Sequence, residues 1–170
     1  ACHLLDLPLG PSGGVPQDQL RIAALANPWR PQRAWASADT SGFAERALLG
    51  RPATMGVLAA ALPAGLEGKI NRGGSIEVAL AHGELASVSR LQMLNGANVA
   101  AIRSLSGAWE IVQFQEAEEI APSTWRLTTL LRGQLGTTDA MQAGAAEGAA
   151  FVLLDEAVRP AGLSGSEIGL

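Results

Sequence analysis

The feature that most constrains the fold is a pair of strand-like runs near the middle of the chain. Residues 109–120 and 124–131 are rich in aromatic, β-branched and other apolar residues, and the breaker Ala121-Pro122-Ser123 separates them. Two such runs with a short connection are typical of a β-hairpin. A glycine-punctuated loop at residues 132–137 follows. The middle of the chain is therefore committed to β structure.

The phase of the side chains along the two runs predicts which of them face the core. In the second run Trp125, Leu127 and Leu131 fall on one face, while Leu130 falls on the other. The first run is less regular, because residues 109–114 place bulk on both faces. Two explanations would fit this pattern to a single strand: a bulge near residues 111–112, or burial on both sides of the strand.

Elsewhere, short apolar runs alternate with turns that contain glycine or proline, and Asn95-Gly96 predicts a tight turn before a strand at residues 99–104. Residues 43–49 and 54–62 are ambiguous between strand and helix, and we favour strands. The predicted fold class is mainly β, built from small β-sandwich or barrel-like modules with short strands and little helix. Residues 63–68 are the best candidate boundary. We therefore expect the end of a β-rich module at 1–64, a C-terminal β domain at 65–160, and a linker or tail at 161–170.

Composition excludes several classes of function. A formal net charge of −4 gives no electrostatic reason to bind nucleic acid. The longest apolar stretch, residues 55–66, is broken by Pro63 and is too short for a membrane span. The chain has a single cysteine, Cys2, and two histidines, His3 and His82, which predicts neither a disulfide nor a metal site. Because the sequence begins without Met, we expect a fragment of a larger protein.

The residues that could carry catalysis do not form a convincing constellation. Glu116 and Glu118 share a strand face at a spacing near that of a glycosidase pair, but acidic residues on the solvent face of a hairpin are far commoner. His82 at a strand end lacks a nucleophile motif beside it. The loop at 133–137 lacks the lysine of a phosphate-binding loop and does not open a clear helix. We predict no catalytic residue, no cofactor and no enzyme activity.

The four tryptophans are the remaining candidates for a binding surface. Trp109 and Trp125 are expected in the core of the hairpin domain. Trp29 and Trp35 are the candidates for contact with a glycan or with a protein partner, and Trp29, between Pro28 and Arg30, is expected to be the more exposed.

Several segments, in this order along the chain, resemble the C-terminal part of the tail-tip, or host-specificity, proteins of gene transfer agents and related tailed phages. The segments are LNGANVAAI (94–102), WEIVQF (109–114), WRL (125–127), LLRGQLGT (130–137) and GAAFVLLD (148–155). The similarity is best over residues 70–155. The preceding RPATMG (51–56) is similar, less specifically, to the phage-tail module that comes before.

The resemblance implies a virion structural protein, a module of a tail hub or tip that takes part in tail assembly and host-surface attachment. Its expected partners are other tail proteins and further copies of itself. The expected location is the tail tip of a virion or gene transfer agent particle that is made in the bacterial cytoplasm. The alternative from the residues is a carbohydrate-binding module that recognises a host envelope or capsule glycan. The resemblance supplies no catalytic residues.

Overall fold

The computed structural model describes residues 1–8, 20–37 and 40–163, and it confirms a mainly β fold. Within these residues the elements are β1 (Cys2–Asp6), β2 (Leu20–Ala24), β3 (Gln32–Ala36), β4 (Ala44–Leu49), β5 (Met55–Leu58), β6 (Asn71–His82), α1 (Arg90–Leu94), β7 (Val99–Arg103), β8 (Trp109–Ala121), β9 (Thr124–Gln134), α2 (Thr138–Ala143), β10 (Ala150–Leu153) and β11 (Arg159–Pro160). They form two compact units, one of residues 1–53 with 155–170 and one of residues 54–154.

The second unit is a closed six-stranded antiparallel barrel. Its strand order is β10-β5-β6-β9-β8-β7, and pairing of β10 with β7 closes it. Phe114 and Phe151 are fully buried at the centre of the apolar core, which also includes Leu58, Leu127 and Leu130. Closure gives each strand a partner on both sides over at least part of its length, and so limits the free edges of the sheet.

The division between the units differs from the predicted domain boundaries. Strand β5 lies in the barrel because it pairs with both β6 and β10, so the break falls between residues 53 and 54 rather than at 64–65. The chain returns to the first unit from Asp155 onward, and β11, at Arg159–Pro160, pairs there with β2. Ala161, predicted to start the linker, is buried in that unit, and residues 164–170 lie outside the described residues.

The predicted hairpin is confirmed as β8 and β9, joined at residues 122–123. The register shifts between Ile111 and Gln113, and residues 109–112 are all buried, so the bulge and the two-sided burial both occur. The predicted faces of β9 are wrong beyond its middle. Thr129 has a φ of 55°, which reverses the alternation, and Leu127 and Leu130 consequently both point into the core.

Two short helices interrupt the strands. Ser89 caps α1 in a capping box with Gln92, and Gly96 follows its C-cap, Asn95, with a φ of 94°. The Asn-Gly turn predicted before β7 is therefore the end of a helix. The loop at 132–137 likewise leads into α2, contrary to the expectation that it opens no helix.

The first unit consists of two small sheets. One has the order β1-β2-β11, and the other is the ribbon β3-β4, whose register shifts between Ala34 and Trp35. The sheets share an apolar cluster that includes Ile22, Leu49 and Ala161. A two-stranded ribbon is marginal by itself, so this packing is what stabilises β3-β4.

Candidate functional site

The barrel contains a buried ion pair at the base of the β8-β9 hairpin. The side chains of Arg132 and Glu110 are 3% and 1% exposed. Arg132 donates from Nε to Glu110 Oε1 at 2.5 Å and from Nη2 to Oε2 at 2.9 Å. Glu110 Oε1 also accepts the Gly133 N–H at 3.1 Å, and the guanidinium donates to the Pro63 carbonyl oxygen at 3.2 Å. The bidentate pair thus ties the hairpin to the loop that follows β5.

This ion pair is suited to stabilising the barrel rather than to catalysis. Both carboxylate oxygens of Glu110 are occupied by donors from Arg132 and Gly133, and Gly65 packs against the aliphatic stem of Arg132. The sequence reasoning missed this pair. One feature of the sequence could have predicted it. Glu110 is a charged residue inside an otherwise apolar run, and a buried charge needs a partner.

Glu116 and Glu118 lie on the exposed outer face of β8. Glu116 Oε2 accepts a hydrogen bond from Thr128 Oγ1 at 2.6 Å, and Glu118 lies opposite Arg126 in the register with β9. Arg126 forms an ion pair with Glu77 on its other side, at 3.1 Å. The two glutamates therefore belong to a solvated cross-strand array rather than to a cleft that would desolvate a catalytic acid.

The residues considered for metal binding are dispersed. His82 is exposed at the end of β6, and Cys2 is a free, exposed thiol on β1. Within residues 1–8, 20–37 and 40–163, no three His, Cys, Asp or Glu side chains converge as metal ligands would. Nor does this part of the chain contain a helix that is long and apolar enough to cross a membrane.

The structure separates the two candidate contact tryptophans by exposure. Trp35, on β3, is 55% exposed. Trp29 is half-buried against the core of the first unit, and its indole N–H has no hydrogen-bond partner among the residues that the structure describes. The expectation that Trp29 is the more exposed of the two is therefore wrong, because its ring contributes to the apolar cluster that holds the two sheets together.

Trp35 lies at the edge of a pocket of about 410 Å³ within the first unit. Side chains from β1, β2, β3 and β4 line it, and most of them are apolar; the lining residues that carry polar or charged groups are Ala1, with the terminal amino group, and Cys2, Gln32, Arg33, Trp35 and Arg46. Arg33 is paired with Glu45 at 2.5 Å. The pocket is of the size of a ligand site, but its lining favours an apolar occupant.

Comparison with known proteins supports a family assignment for the barrel. A search of curated proteins finds no match to this chain. The family model described as Rcc01698-like, C-terminal, matches residues 53–152, which coincide closely with the barrel unit. Because this range is more than half of the 170 residues, the chain belongs to the Rcc01698-like, C-terminal family.

Proposed function

We propose that this protein is a structural module of a phage-like tail tip or hub, in a gene transfer agent or tailed phage, where it contributes to tail assembly and host-surface attachment. The observation that carries the proposal is where the resembling segments lie. Residues 109–114, 125–127 and 130–137 form the two sides of the buried Glu110–Arg132 hairpin, and 148–155 include β10, which closes the barrel. The segments that resemble tail-tip proteins therefore form the hairpin and the closing strand of the barrel, which supports a scaffold role.

The physical properties of the barrel suit assembly. A closed sheet keeps its backbone hydrogen bonds internal and cannot pair indiscriminately with other chains. The buried Glu110–Arg132 pair joins the two strands of the longest hairpin, and its donors and acceptors are used within the barrel. In this proposal the module is not an enzyme, and its partners are other tail proteins and further copies of itself.

Immunogold labelling tests the proposal directly. Antibodies raised against the 170-residue chain should decorate one end of the tail in particles purified from the producing bacterium. Antibody absorbed beforehand with the purified chain is the control and should give no label. Label on the capsid, or particles that never label, would contradict the proposal, as would robust glycan hydrolysis by the chain.

The exposed Trp35 favours a second candidate, a carbohydrate-binding module for host envelope or capsule glycan. An exposed indole offers a face on which a sugar ring can stack, and the Arg33–Glu45 pair beside it could bond to hydroxyl groups. Titration with host polysaccharide should then shift tryptophan fluorescence saturably. The shift should disappear in Trp35→Ala. It should persist in Trp125→Phe, because the Trp125 indole packs against the barrel core, away from the candidate sugar contact. If the fluorescence does not change at any polysaccharide concentration, the carbohydrate-binding candidate is contradicted and the structural role is the one that remains.

A further inference from the structure

Asn95 and Gly96 form the only Asn-Gly step in the sequence, and both residues are exposed at the end of α1. Asparagine deamidates most readily before glycine, because glycine has no Cβ to hinder the approach of its backbone nitrogen to the preceding side chain. In this reaction the Gly96 nitrogen loses its proton to water, attacks Asn95 Cγ and displaces the side-chain nitrogen as ammonia. Water then opens the cyclic imide at either carbonyl, which leaves aspartate or isoaspartate.

The C-terminal cap of α1 holds this step in a geometry that blocks the reaction. The Gly96 N–H donates to the Met93 carbonyl and the Ala97 N–H to the Gln92 carbonyl, both at 3.0 Å. These are the two hydrogen bonds of a Schellman motif. With a ψ of 14° at Asn95, the Gly96 nitrogen nearly eclipses the Asn95 nitrogen and is turned away from Cβ, so it cannot reach Cγ. The proton that must leave Gly96 is also held, by its bond to Met93.

A side chain of the barrel wall holds the cap in place. Gln113, on β8, donates from Nε2 to the Met93 carbonyl at 2.6 Å and to the Ala97 carbonyl at 3.2 Å. The Met93 side chain is fully buried, so this residue anchors the cap through its backbone and its side chain. Helix α1 has only five residues, and a helix of this length is not stable alone. The closed form of the cap therefore depends on Gln113.

We propose that Asn95 is a deamidation site controlled by Gln113, which suppresses the reaction while it holds the Schellman cap against the barrel. The product reinforces the opening of the cap. A carboxylate at position 95 places negative charge at the negative end of α1, and isoaspartate lengthens the backbone within the motif. The step is irreversible and so records how long the cap has been open. The inference rests on the geometry of the barrel and is independent of the proposed role in a tail.

The test follows deamidation by mass spectrometry while the 170-residue chain is incubated at neutral pH. Trypsin releases residues 91–103 as one peptide, since Arg90 and Arg103 bound it, and fragmentation of this peptide distinguishes Asn95 from Asn98. The same peptide made synthetically lacks the cap and gives the unprotected rate. Asn95 should deamidate at least about tenfold more slowly in the folded chain than in the free peptide. Equal rates would overturn the proposal.

Two substitutions on β8 test the role of Gln113. Gln113→Met removes both hydrogen bonds to the cap, so Asn95 should deamidate several-fold faster while tryptophan emission stays native. Gln115→Met is the matched control and should leave the rate unchanged, because the Val88 N–H bonds to the backbone carbonyl of residue 115. If Gln113→Met does not fold, Ser89→Ala replaces it, since it loosens the same helix from its other end. An unchanged rate in the folded variant, or an equal rise in Gln115→Met, would overturn the proposal.

Discussion

At the scale of single residues, the Glu110–Arg132 pair is the contact whose loss should cost the barrel most. Arg132→Ala leaves Glu110 buried with a charge and without its bidentate partner, so we expect a loss of about 3–5 kcal/mol in the free energy of unfolding. Urea denaturation followed by tryptophan fluorescence measures this loss, since Trp109 and Trp125 both belong to the barrel.

The matched control for this prediction is a surface pair on the same sheet. Arg126→Ala breaks the half-exposed pair with Glu77, and we expect it to cost about 1 kcal/mol or less. The double variant Glu110→Leu with Arg132→Met replaces the buried charges by apolar groups and should recover most of the stability lost in Arg132→Ala. Similar losses in Arg132→Ala and Arg126→Ala would show that the buried pair has no special role.

At the scale of elements, the segment before α1 covers the part of β8 that extends beyond its pairing with β7. The Val88 N–H donates to the Gln115 carbonyl at 2.8 Å, and the Ser87 hydroxyl covers Ala117. Ser87 Oγ accepts the N–H of Ala117 at 3.0 Å and lies 3.3 Å from the carbonyl oxygen of the same residue. One side chain thereby satisfies both backbone groups that point away from β9. Without this hydroxyl, both backbone groups of Ala117 would lie at an open sheet edge.

Ser87→Ala should therefore expose the Ala117 amide to solvent. We expect its hydrogen exchange, followed by NMR, to become several-fold faster, with little change at Phe114, whose N–H bonds to the Asn98 carbonyl. Ser89→Ala is the control, because it removes the cap of α1 and should accelerate exchange in that helix instead. Unchanged exchange at Ala117 in Ser87→Ala would mean that other contacts protect this edge.

The elements also show what the sequence can and cannot predict. The hairpin was predictable because alternation and a Pro-containing breaker are local signals, and the capping box of Ser89 and Gln92 was a readable sign of α1. The reversal of faces at Thr129 was not predictable, since a positive φ in a threonine is imposed by the barrel. Nor was the role of Arg132, because its partner Glu110 lies 22 positions away in the chain and meets it only after the hairpin forms.

At the scale of the whole molecule, the barrel is an insertion in the first unit. The sequence placed the domain break at 63–68 because Pro and Gly cluster there, whereas the chain enters and leaves the barrel near residues 54 and 153. At that point the Leu153 N–H donates to the Thr54 carbonyl at 2.9 Å. Neighbouring ends are the usual geometry of an inserted domain, and turn composition alone does not reveal it.

This geometry predicts that residues 54–154 fold alone. All members of the main apolar cluster lie in this range, and closure of the sheet requires no strand from elsewhere. The excised segment should therefore give dispersed amide NMR signals that overlay those of the same residues in the full chain. An excised segment ending at residue 145 would lack β10 and is the control. It leaves β5 and β7 with open edges, so we expect it to be unfolded or aggregated. If 54–154 gave collapsed, poorly dispersed signals, the barrel would depend on the first unit for its fold, and the two units could not have been combined as independent modules.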